Sequence, residues 1–582
     1  MDFNTAKIIL SNLRERIDTI SDGRYRLEGI ITQKELNALD FLLSDVFHEQ
    51  PSSILASPTT PLQQSKEPAK APEVLEPAEP VREPEPVVEV ELDLSVLDLP
   101  ECDSTYRVCL DFGTAMSKAT FVNDNEDADL EQIHVLQLGI PGDQENIDYN
   151  MLISSLFIDN EGRIWFGYNA IEQSQAELEG GSQRLDNIKR WLSEGNLSAS
   201  VEKNHNPTSL DISYEHIVLA YLAFFTWTVN EALAVDVSEL DVPRNFMRRF
   251  AMPCFPRANA SEVERKLKRL LGEAQVLAGT FKDEIHKGLL LTRFLSAVNQ
   301  LRASNRSYSF IDRSITEPLG VAGSSLSWRS AINSLSLVVD IGAGTSDFSL
   351  YRLHVVVDEY GDVDTSKTVA MEVDKSARGI TEAGNHLDQI LKAFILNRAG
   401  ITASHPKFIN IAYHLERDIR NHKETLFNTG AVFIVLYNDE TVEISLEEFL
   451  SHDAVKAFET SLRNTMVDIL ESVDPSFIDW VQINPTRRLV VVLTGGGAAL
   501  PMAQQLAKGT LLVNGSNVAV AAAKAFPTWL EQDYPDLEQD YPRIAVSLGG
   551  ARKNLIQAKG VATTTGSGIG GHKLESIPIS GN

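Results

Sequence analysis

The chain has 582 residues, of which 43% are hydrophobic, and this length predicts several packed units rather than one core. Its formal net charge is −29 at pH 7. Such a negative field repels phosphate backbones, which excludes nonspecific nucleic-acid binding, so a nucleotide would have to be bound by local donors.

Residues 1–48 are predicted to form a small helical hairpin. The N-terminus lacks a basic region followed by an apolar stretch, so no signal peptide is expected. Apolar residues recur at helical spacing from Ile8 through Ile17 to Ile20, and a second helix is predicted after a capping box at Thr32. Two helices this small cannot bury both faces, so we expect them to dock on the main body, dimerise or bind a protein partner.

Residues 49–103 have the composition of an acidic, proline- and glutamate-rich linker. Ten of the 24 prolines lie between residues 51 and 100. Because prolines remove backbone donors and glutamates repel one another, an extended, disordered linker is predicted, which is a second candidate site for a protein partner. Its end, Val87–Leu99, alternates apolar and acidic residues, as expected for an edge strand, a linker end or a docking strand.

Residues 104–555 alternate strand patterns with helical patterns, which predicts an α/β fold. The most apolar stretch, Ile217–Val229, is shorter than the ~20 residues that span a bilayer, so a buried helix and no membrane insertion are expected. The three cysteines lack metal-type spacing and are expected to be reduced thiols of a cytoplasmic protein. Residues 556–582 are rich in Gly, Ser and Thr and are predicted to be a flexible tail.

The first candidate phosphate-binding segment lies between two apolar strand patterns. The first strand ends at Asp111, Gly113 permits a sharp turn, and Thr114 and Ser117 supply hydroxyl groups. Such a turn can present backbone N–H groups to phosphate oxygens. A carboxylate at the strand end can hold the water shell of Mg²⁺.

The same layout recurs in the second half of the chain. An apolar strand leads into Asp340, Gly342 and Gly344 follow it, and Thr345 and Asp347 precede the next strand. Either hairpin alone would be a common turn, but two in matching context indicate duplicated lobes that face one nucleotide.

A third segment places an apolar strand directly before three glycines, Gly495, Gly496 and Gly497, and a predicted helix. Glycines allow the backbone to approach a ligand, and a helix N-terminus favours negative charge. A tight strand–helix turn without a ligand is the alternative.

These three segments, in this order, resemble the two phosphate motifs and the adenosine motif of the actin, sugar-kinase and DnaK (70-kDa heat-shock) superfamily. Further stretches resemble the nucleotide-binding domain of DnaK-type chaperones. They are residues 187–192 (NIKRWL), 250–255 (FAMPCF), 315–322 (ITEPLGVA), 379–388 and 542–551 (PRIAVSLGGA).

The resemblance implies a two-lobed actin-like ATPase with duplicated ribonuclease-H-like lobes. Lobe I would cover residues 104–340, with an insertion at about 150–210. Lobe II would cover residues 335–555, with an insertion at about 400–485. No β-sandwich domain that clamps peptides follows in this sequence, so the resemblance does not extend to peptide clamping.

The resemblance also implies roles for matching residues, with ATP or ADP and Mg²⁺ as ligands. Lys189 would be the cation beside the γ-phosphate, and Asp111 and Asp340 would hold Mg²⁺ through water. The resemblance also implies catalytic roles for Glu317, Thr345 and Asp347. Glu317 and Asp347 would hold that water shell or position the attacking water, and Thr345 would contact phosphate or orient the nucleophile. Nucleotide contacts are implied for Gly113, Thr114, Ala115, Ser117, Gly342, Ala343, Gly344, Gly384, Lys423, Gly495, Gly496 and Gly497.

Several residues depart from the DnaK pattern. Ala115 stands where a threonine is usual, which predicts slower turnover. In the adenine-clamping helix, Arg420 and Glu424 have reversed charges, although residues four apart can still pair. Phe427 replaces a serine, so the base is not fixed by the pattern: ATP is expected, and GTP or a modified nucleotide are the alternatives.

The expected function is that of a slow, chaperone-like ATP hydrolase whose lobe closure regulates a protein partner. A filament-forming actin relative and a small-molecule kinase of the same fold are the alternatives, and a nucleotide sensor that barely hydrolyses is a third.

Overall fold

A computed structural model describes residues 89–556, except 101, 103–104, 125–130, 140–149, 177–181, 195, 255–256, 305, 362 and 365, and the backbone of 17–19 and 25–27. The chain divides into two compact units, residues 1–84 and 85–582. The rest of the predicted helical module, most of the linker and the predicted tail lie outside the described residues.

Within the first unit, strands β1 (Ile17–Thr19) and β2 (Tyr25–Leu27) pair antiparallel. The helix predicted through Ile17 is therefore wrong at this point. β-Branched and aromatic residues favour extended backbone, and here that preference outweighs the helical spacing of the apolar residues.

The second unit begins earlier than the predicted boundary at residue 104. Val90 is buried in the core, and so is Val96, which lies in a short helix, α1 (Ser95–Asp98). The Asp93 amide donates to the Thr280 hydroxyl at 3.0 Å, and the Asp93 carboxylate lies 3.2 Å from the Arg244 guanidinium. The end of the predicted linker is thus docked on the body through side-chain contacts, without strand pairing in the described segment.

Six strands form the first of two large sheets. In chain order they are β3 (Tyr106–Asp111), β4 (Met116–Asn123), β5 (Gln132–Val135), β6 (Leu152–Ile153), β9 (Met247–Met252) and β11 (Ile311–Thr316). The order across the sheet is β11–β9–β3–β4–β5, with β6 also pairing with β4. β3, β4 and β5 are antiparallel neighbours, whereas β9 and β11 extend the sheet beyond β3 as parallel strands.

Seven strands form the second large sheet. They are β12 (Ile332–Ile341), β13 (Ser346–Val355), β14 (Val369–Glu372), β15 (Arg378–Ile380), β18 (Leu489–Thr494), β19 (Thr510–Val513) and β20 (Ser516–Ala522). β12, β13 and β14 form an antiparallel meander, and β18 and β20 continue beyond β12 as parallel strands. The core of this sheet therefore repeats the strand order and directions of the first sheet.

Two smaller sheets lie within the regions predicted as insertions or beside them. One consists of β7 (Leu156–Ile158), β8 (Arg163–Phe166) and β10 (Leu289–Leu290), and the other of β16 (Ala431–Val435) and β17 (Thr441–Ser445). β10 lies outside the predicted insertion at about 150–210, so the predicted range does not contain all three strands of this sheet.

Helices surround the sheets, and the described residues thus form an α/β fold with mixed sheets. The helices before β12 are α2 (Gly167–Ala176), α3 (Arg190–Glu194), α4 (Tyr214–Asp236), α5 (Arg257–Thr280), α6 (Leu291–Ala303) and α7 (Glu317–Ser325). Those after β15 are α8 (Gly384–Arg398), α9 (Phe408–Thr429), α10 (Leu446–Ser451), α11 (Asp453–Ser472), α12 (Pro475–Gln482), α13 (Pro501–Leu506), α14 (Thr528–Asp533) and α15 (Tyr541–Ala551). Single 3₁₀ turns occur at Ile285–Lys287 and Pro535–Leu537.

Helices α7 and α15 pack between the two large sheets. One hydrophobic cluster joins Cys109 of β3 and Val338 of β12 to residues of both helices. The helices cross at glycines, because a Cβ atom on Gly549 would lie 1.8 Å from the carbonyl oxygen of Gly320. This close contact brings the sheets together around their first hairpins.

Helix α4 is long and apolar enough to cross a membrane by length and composition, but 83% of its apolar window is buried inside the fold. A central core helix accounts for this pattern, as the sequence predicted for Ile217–Val229.

Glu372 of β14 makes the stability of the second sheet depend on pH. Burial raises the pKa of Glu372 to about 7, although hydrogen bonds from Ser349 and Tyr351 act in the opposite direction. Between the ordinary pKa and the raised value, the native state holds a proton that the unfolded chain has lost. The contribution of Glu372 to stability therefore falls as the pH rises through this window.

We predict that Glu372→Gln stabilises the protein relative to wild type above pH 7 and much less near pH 5. The rise of the Glu372 pKa from its ordinary value of 4.5 to about 7 corresponds to roughly 3 kcal/mol of stability, at 1.36 kcal/mol per pKa unit. Unfolding free energies from urea denaturation at both pH values measure the effect. Parallel pH profiles for the two proteins would contradict it.

Candidate functional site

The two hairpins predicted to bind phosphate have the same register. In the first, Asp111 of β3 lies opposite Lys118 of β4, and in the second, Asp340 of β12 lies opposite Asp347 of β13. Each pair closes a short turn at the end of the central strand of its sheet. The matching registers place an acid at the same point of each sheet.

The turns of the two hairpins meet. A Cβ atom on Gly344 would lie 2.7 Å from the Thr114 hydroxyl oxygen, so the glycine allows the first turn to touch the second. Nearby, the Asn385 side-chain amide donates to the Asn187 side-chain oxygen at 3.0 Å, and the Asn385 backbone amide donates to Ala343 at 2.7 Å. The first two predicted segments and the turn before Lys189 therefore lie at one place.

Asp340 lies within a group of like charges. Burial raises its pKa well above the ordinary value, and the carboxylates of Glu317, Asp347 and Asp111 raise it further. These interactions indicate that the four acids lie near one another, although Asp111 comes from the first sheet, Asp340 and Asp347 come from the second, and Glu317 begins helix α7. Among the residues that the structure describes, no group of three or more His, Cys, Asp or Glu is arranged to hold a metal ion directly.

Lys189 supplies a buried positive charge to this group. It follows Asn187, whose φ of 58° turns the chain into α3, and its ammonium pairs with the Glu317 carboxylate at the start of α7. Burial acts to lower the pKa of Lys189, but Glu317 and Asp111 outweigh it and raise the value. Lys189 is therefore charged and directed at the acids rather than at solvent, where a lysine is usually found.

Asp347 is held by the segment of residues 250–255, one of the stretches that resemble DnaK-type proteins. The amide of Cys254, just after β9, donates to Asp347 Oδ1 at 2.7 Å. Burial and the Glu317 carboxylate raise the pKa of Asp347 to about 7, while the Cys254 amide and the Thr345 hydroxyl lower it. The other oxygen, Oδ2, is buried without a hydrogen-bond partner among the described residues.

The third glycine segment lies against the second hairpin. Gly495 has a φ of 80°, and a Cβ atom there would lie 2.4 Å from Asp340 Oδ1. The amide of Gly497 donates to the Ile341 carbonyl at 2.9 Å, whereas Gly496 has open space beside it. The predicted helix follows the glycines, but its N-terminus lies at Pro501 and does not adjoin them.

Ser117 does not contribute to the meeting point of the turns. Its side chain is fully buried, and its hydroxyl lies 3.1 Å from that of Ser154 and 3.0 Å from that of Tyr221. The structure therefore does not bring the Ser117 hydroxyl to the turns, because strand alternation directs this side chain into the core behind the hairpin. Ala115 lies in the turn, where its carbonyl accepts from the Ser154 amide at 2.9 Å.

Helices α8 and α9 bring two more predicted residues to the second hairpin. The Lys423 ammonium donates to the Gly384 carbonyl at 3.0 Å and pairs with Asp388 at 2.8 Å. A Cβ atom on Gly384 would lie 3.3 Å from the Ala343 Cα, so Gly384 contacts the turn directly. Arg420 and Glu424 pair at 3.0 Å, which confirms the ion pair expected from their spacing.

Phe427 is partly buried against the core of the second sheet, where its ring lies edge-on to that of Phe449 at 6.1 Å. It therefore acts as a packing residue at the position where the DnaK pattern has a serine.

The sequence analysis missed Lys118. Its ammonium lies 3.4 Å from Asp111 Oδ2, and the Lys118 side chain is mostly buried. Aligning the two hairpins would have revealed it, because Lys118 follows Asp111 by the same interval as Asp347 follows Asp340. The first hairpin thus pairs its acid with a cation, whereas the second pairs its acid with another acid.

The site consists of four acids and two lysines in a largely buried setting, so a divalent cation would offset its excess of negative charge. No protein-family model matches this sequence, and no curated protein matches it.

Neighbouring glycines in the third segment provide a matched test of this geometry. We predict that Gly495→Ala destabilises the protein by about 2 kcal/mol, because a side chain would need a positive φ and would collide with Asp340. Gly496→Ala should change stability by less than about 0.5 kcal/mol. Denaturation midpoints measure both, and equal effects would contradict the described packing.

Proposed function

We propose that this protein is a two-lobed, actin-like ATPase that binds ATP with Mg²⁺ between two ribonuclease-H-like lobes and hydrolyses it slowly. The observation that carries the proposal is the convergence of Asp111, Asp340, Asp347, Glu317 and Lys189 where two hairpins meet. The repeated strand order of the two sheets supports duplicated lobes. The resemblance of the hairpins to the phosphate motifs of the DnaK branch supports the nucleotide.

The residues present suit Mg²⁺ bound to a nucleotide. Carboxylate oxygens are the ligands that this ion prefers, and it usually keeps several waters, so Asp111 and Asp340 would hold it through its water shell. When bound, Mg²⁺ neutralises charge on the phosphate oxygens. Backbone amides in the two turns would donate to phosphate oxygens.

The protein's own residues would act on the terminal phosphate and on water. Lys189, fixed by Glu317, would offset the charge that develops on the transferring oxygens. Asp347 has one oxygen held by the Cys254 amide and the other without a partner, so it can accept a hydrogen bond from the attacking water. Thr345 lies at the second turn beside Asp347 and would contact phosphate. Lys118 would compete for Asp111 until the phosphates arrive.

We predict that wild type converts ATP to ADP in a single turnover with Mg²⁺ and that Lys189→Ala lowers this rate by at least about 100-fold. The charge that Lys189 supplies is buried and fixed, so no solvent cation replaces it. Lys456→Ala, an exposed lysine on α11, is the matched control and should retain the wild-type rate within about twofold. Quantifying ADP at enzyme excess gives both rates.

Absence of ADP formation and of ATP binding by wild type would overturn the proposed function. Binding without hydrolysis would leave a nucleotide sensor in its place. Polymerisation with ATP, detected by light scattering, would favour the filament-forming alternative.

We also propose that lobe closure is passed to a protein partner bound by residues 1–88. The docked segment supports this proposal, because Val90 and Val96 fasten the chain after residue 88 to the core of the first sheet. Motion of that core would therefore move the attachment point of the N-terminal unit.

A truncation test follows from this docking. A chain that starts at Glu89 should keep the stability of the full chain, whereas one that starts at Ser104 should lose several kcal/mol, because two buried valines and their packing partners are removed. A pull-down with ATP or ADP should capture a partner with the full chain but not with the chain from Glu89. Equal capture by both chains would place partner binding elsewhere.

A further inference from the structure

Two consecutive serines, Ser154 and Ser155, lie behind the first hairpin, between β6 and β7, and both are buried. Each makes a hydrogen bond toward a different part of the candidate site. Ser154 faces the turn of the first hairpin, and Ser155 faces the chain that leads to Lys189. Neither was identified from the sequence.

Ser154 donates hydrogen bonds to two backbone carbonyl groups in the turn of the first hairpin. Its hydroxyl donates to the Gly113 carbonyl at 2.8 Å, and its backbone amide donates to the Ala115 carbonyl at 2.9 Å. A trans peptide directs its C=O and N–H groups to opposite sides. With the Gly113 carbonyl held by Ser154, the Thr114 N–H therefore points away from the buried side of the hairpin.

The Ser154 hydroxyl belongs to a buried network. The Tyr221 hydroxyl, from α4, lies 3.1 Å from that of Ser154, 3.0 Å from that of Ser117 and 3.2 Å from the Ile153 carbonyl. The Tyr221 ring stacks on Phe112 of the same turn, with ring centroids 5.4 Å apart. Networks in which buried hydroxyls are satisfied hold one geometry, and removing one member leaves a partner unpaired.

Ser155 acts on the other part of the site. Its hydroxyl donates to the Asp186 carboxylate, which is also bound by the Arg184 guanidinium at 2.8 and 2.9 Å. Asp186 immediately precedes the turn at Asn187 that directs Lys189 to Glu317. The two serines therefore connect the first turn and the Lys189 segment through adjacent residues of one strand connection.

We propose that Ser154 and Ser155 are positioning residues that set the phosphate-binding turn and the catalytic lysine in one relative geometry. Ser154 would act through Gly113 on nucleotide affinity, and Ser155 through Asp186 on turnover. This inference rests on the proposed ATPase function and names the residues that prepare its site. A purely structural role would affect stability without separating affinity from rate.

The test compares Ser154→Ala and Ser155→Ala with Ser336→Ala, a buried serine on β12 that hydrogen-bonds to Ser334 at 3.1 Å. We expect Ser154→Ala to weaken MgATP binding by at least about fivefold, as loss of one buried hydrogen bond implies. Ser155→Ala should lower kcat by at least about fivefold with the MgATP dissociation constant within about twofold of wild type. Ser336→Ala should change neither, at comparable melting temperatures.

Two further variants keep the test decisive. Ser154→Thr retains the hydroxyl and should bind MgATP within about twofold of wild type. Tyr221→Phe removes only the hydroxyl that supports Ser154 and should weaken binding in the same direction as Ser154→Ala, even where that variant folds poorly. The inference is overturned when wild type binds MgATP but Ser154→Ala and Tyr221→Phe match Ser336→Ala. Wild type that binds no nucleotide overturns the proposed function itself.

Discussion

The candidate site depends on keeping like charges together in a buried place. Three other carboxylates, from both sheets and from helix α7, lie close enough to raise the pKa of Asp340. A site of this kind is costly unless cations or donors compensate. Lys189, Lys118 and the Cys254 amide supply that compensation from three separate elements. A fold does not normally hold uncompensated acids in its core, so the excess of acids over lysines is the strongest physical indication that a cationic ligand belongs here.

The scaffold makes this concentration of charge possible through backbone contacts. Both large sheets place an antiparallel meander beside two parallel strands, and each presents an acid at the end of its central strand. The α7–α15 crossing has glycines at its contact, and Gly344 lets one turn approach the other. Close approach of this kind excludes side chains at these points, which explains glycine there better than a requirement for flexibility does.

The features that depart from the DnaK pattern have different physical meanings. Arg420 and Glu424 exchange their charges relative to the pattern but still pair, so the helix keeps its surface ion pair. Phe427 packs against the core of the second sheet and has no hydroxyl with which to replace the serine of the pattern. Lys118 places a positive charge beside Asp111. The corresponding position of the second hairpin, opposite Asp340, is the acid Asp347.

The sequence by itself determined the features that are local. Each hairpin is a strand, an acid, a glycine turn and a second strand, and this pattern is contained within about 15 residues, so periodicity and turn chemistry predict it. The α/β class and the buried α4 helix follow from the same periodicities. Tertiary structure alone decided which way Ser117 faces and that residues 89–100 dock on the body. These outcomes depend on partners far away in the chain, such as Ser154, Thr280 and Arg244, and contacts between distant segments leave no local periodicity to read.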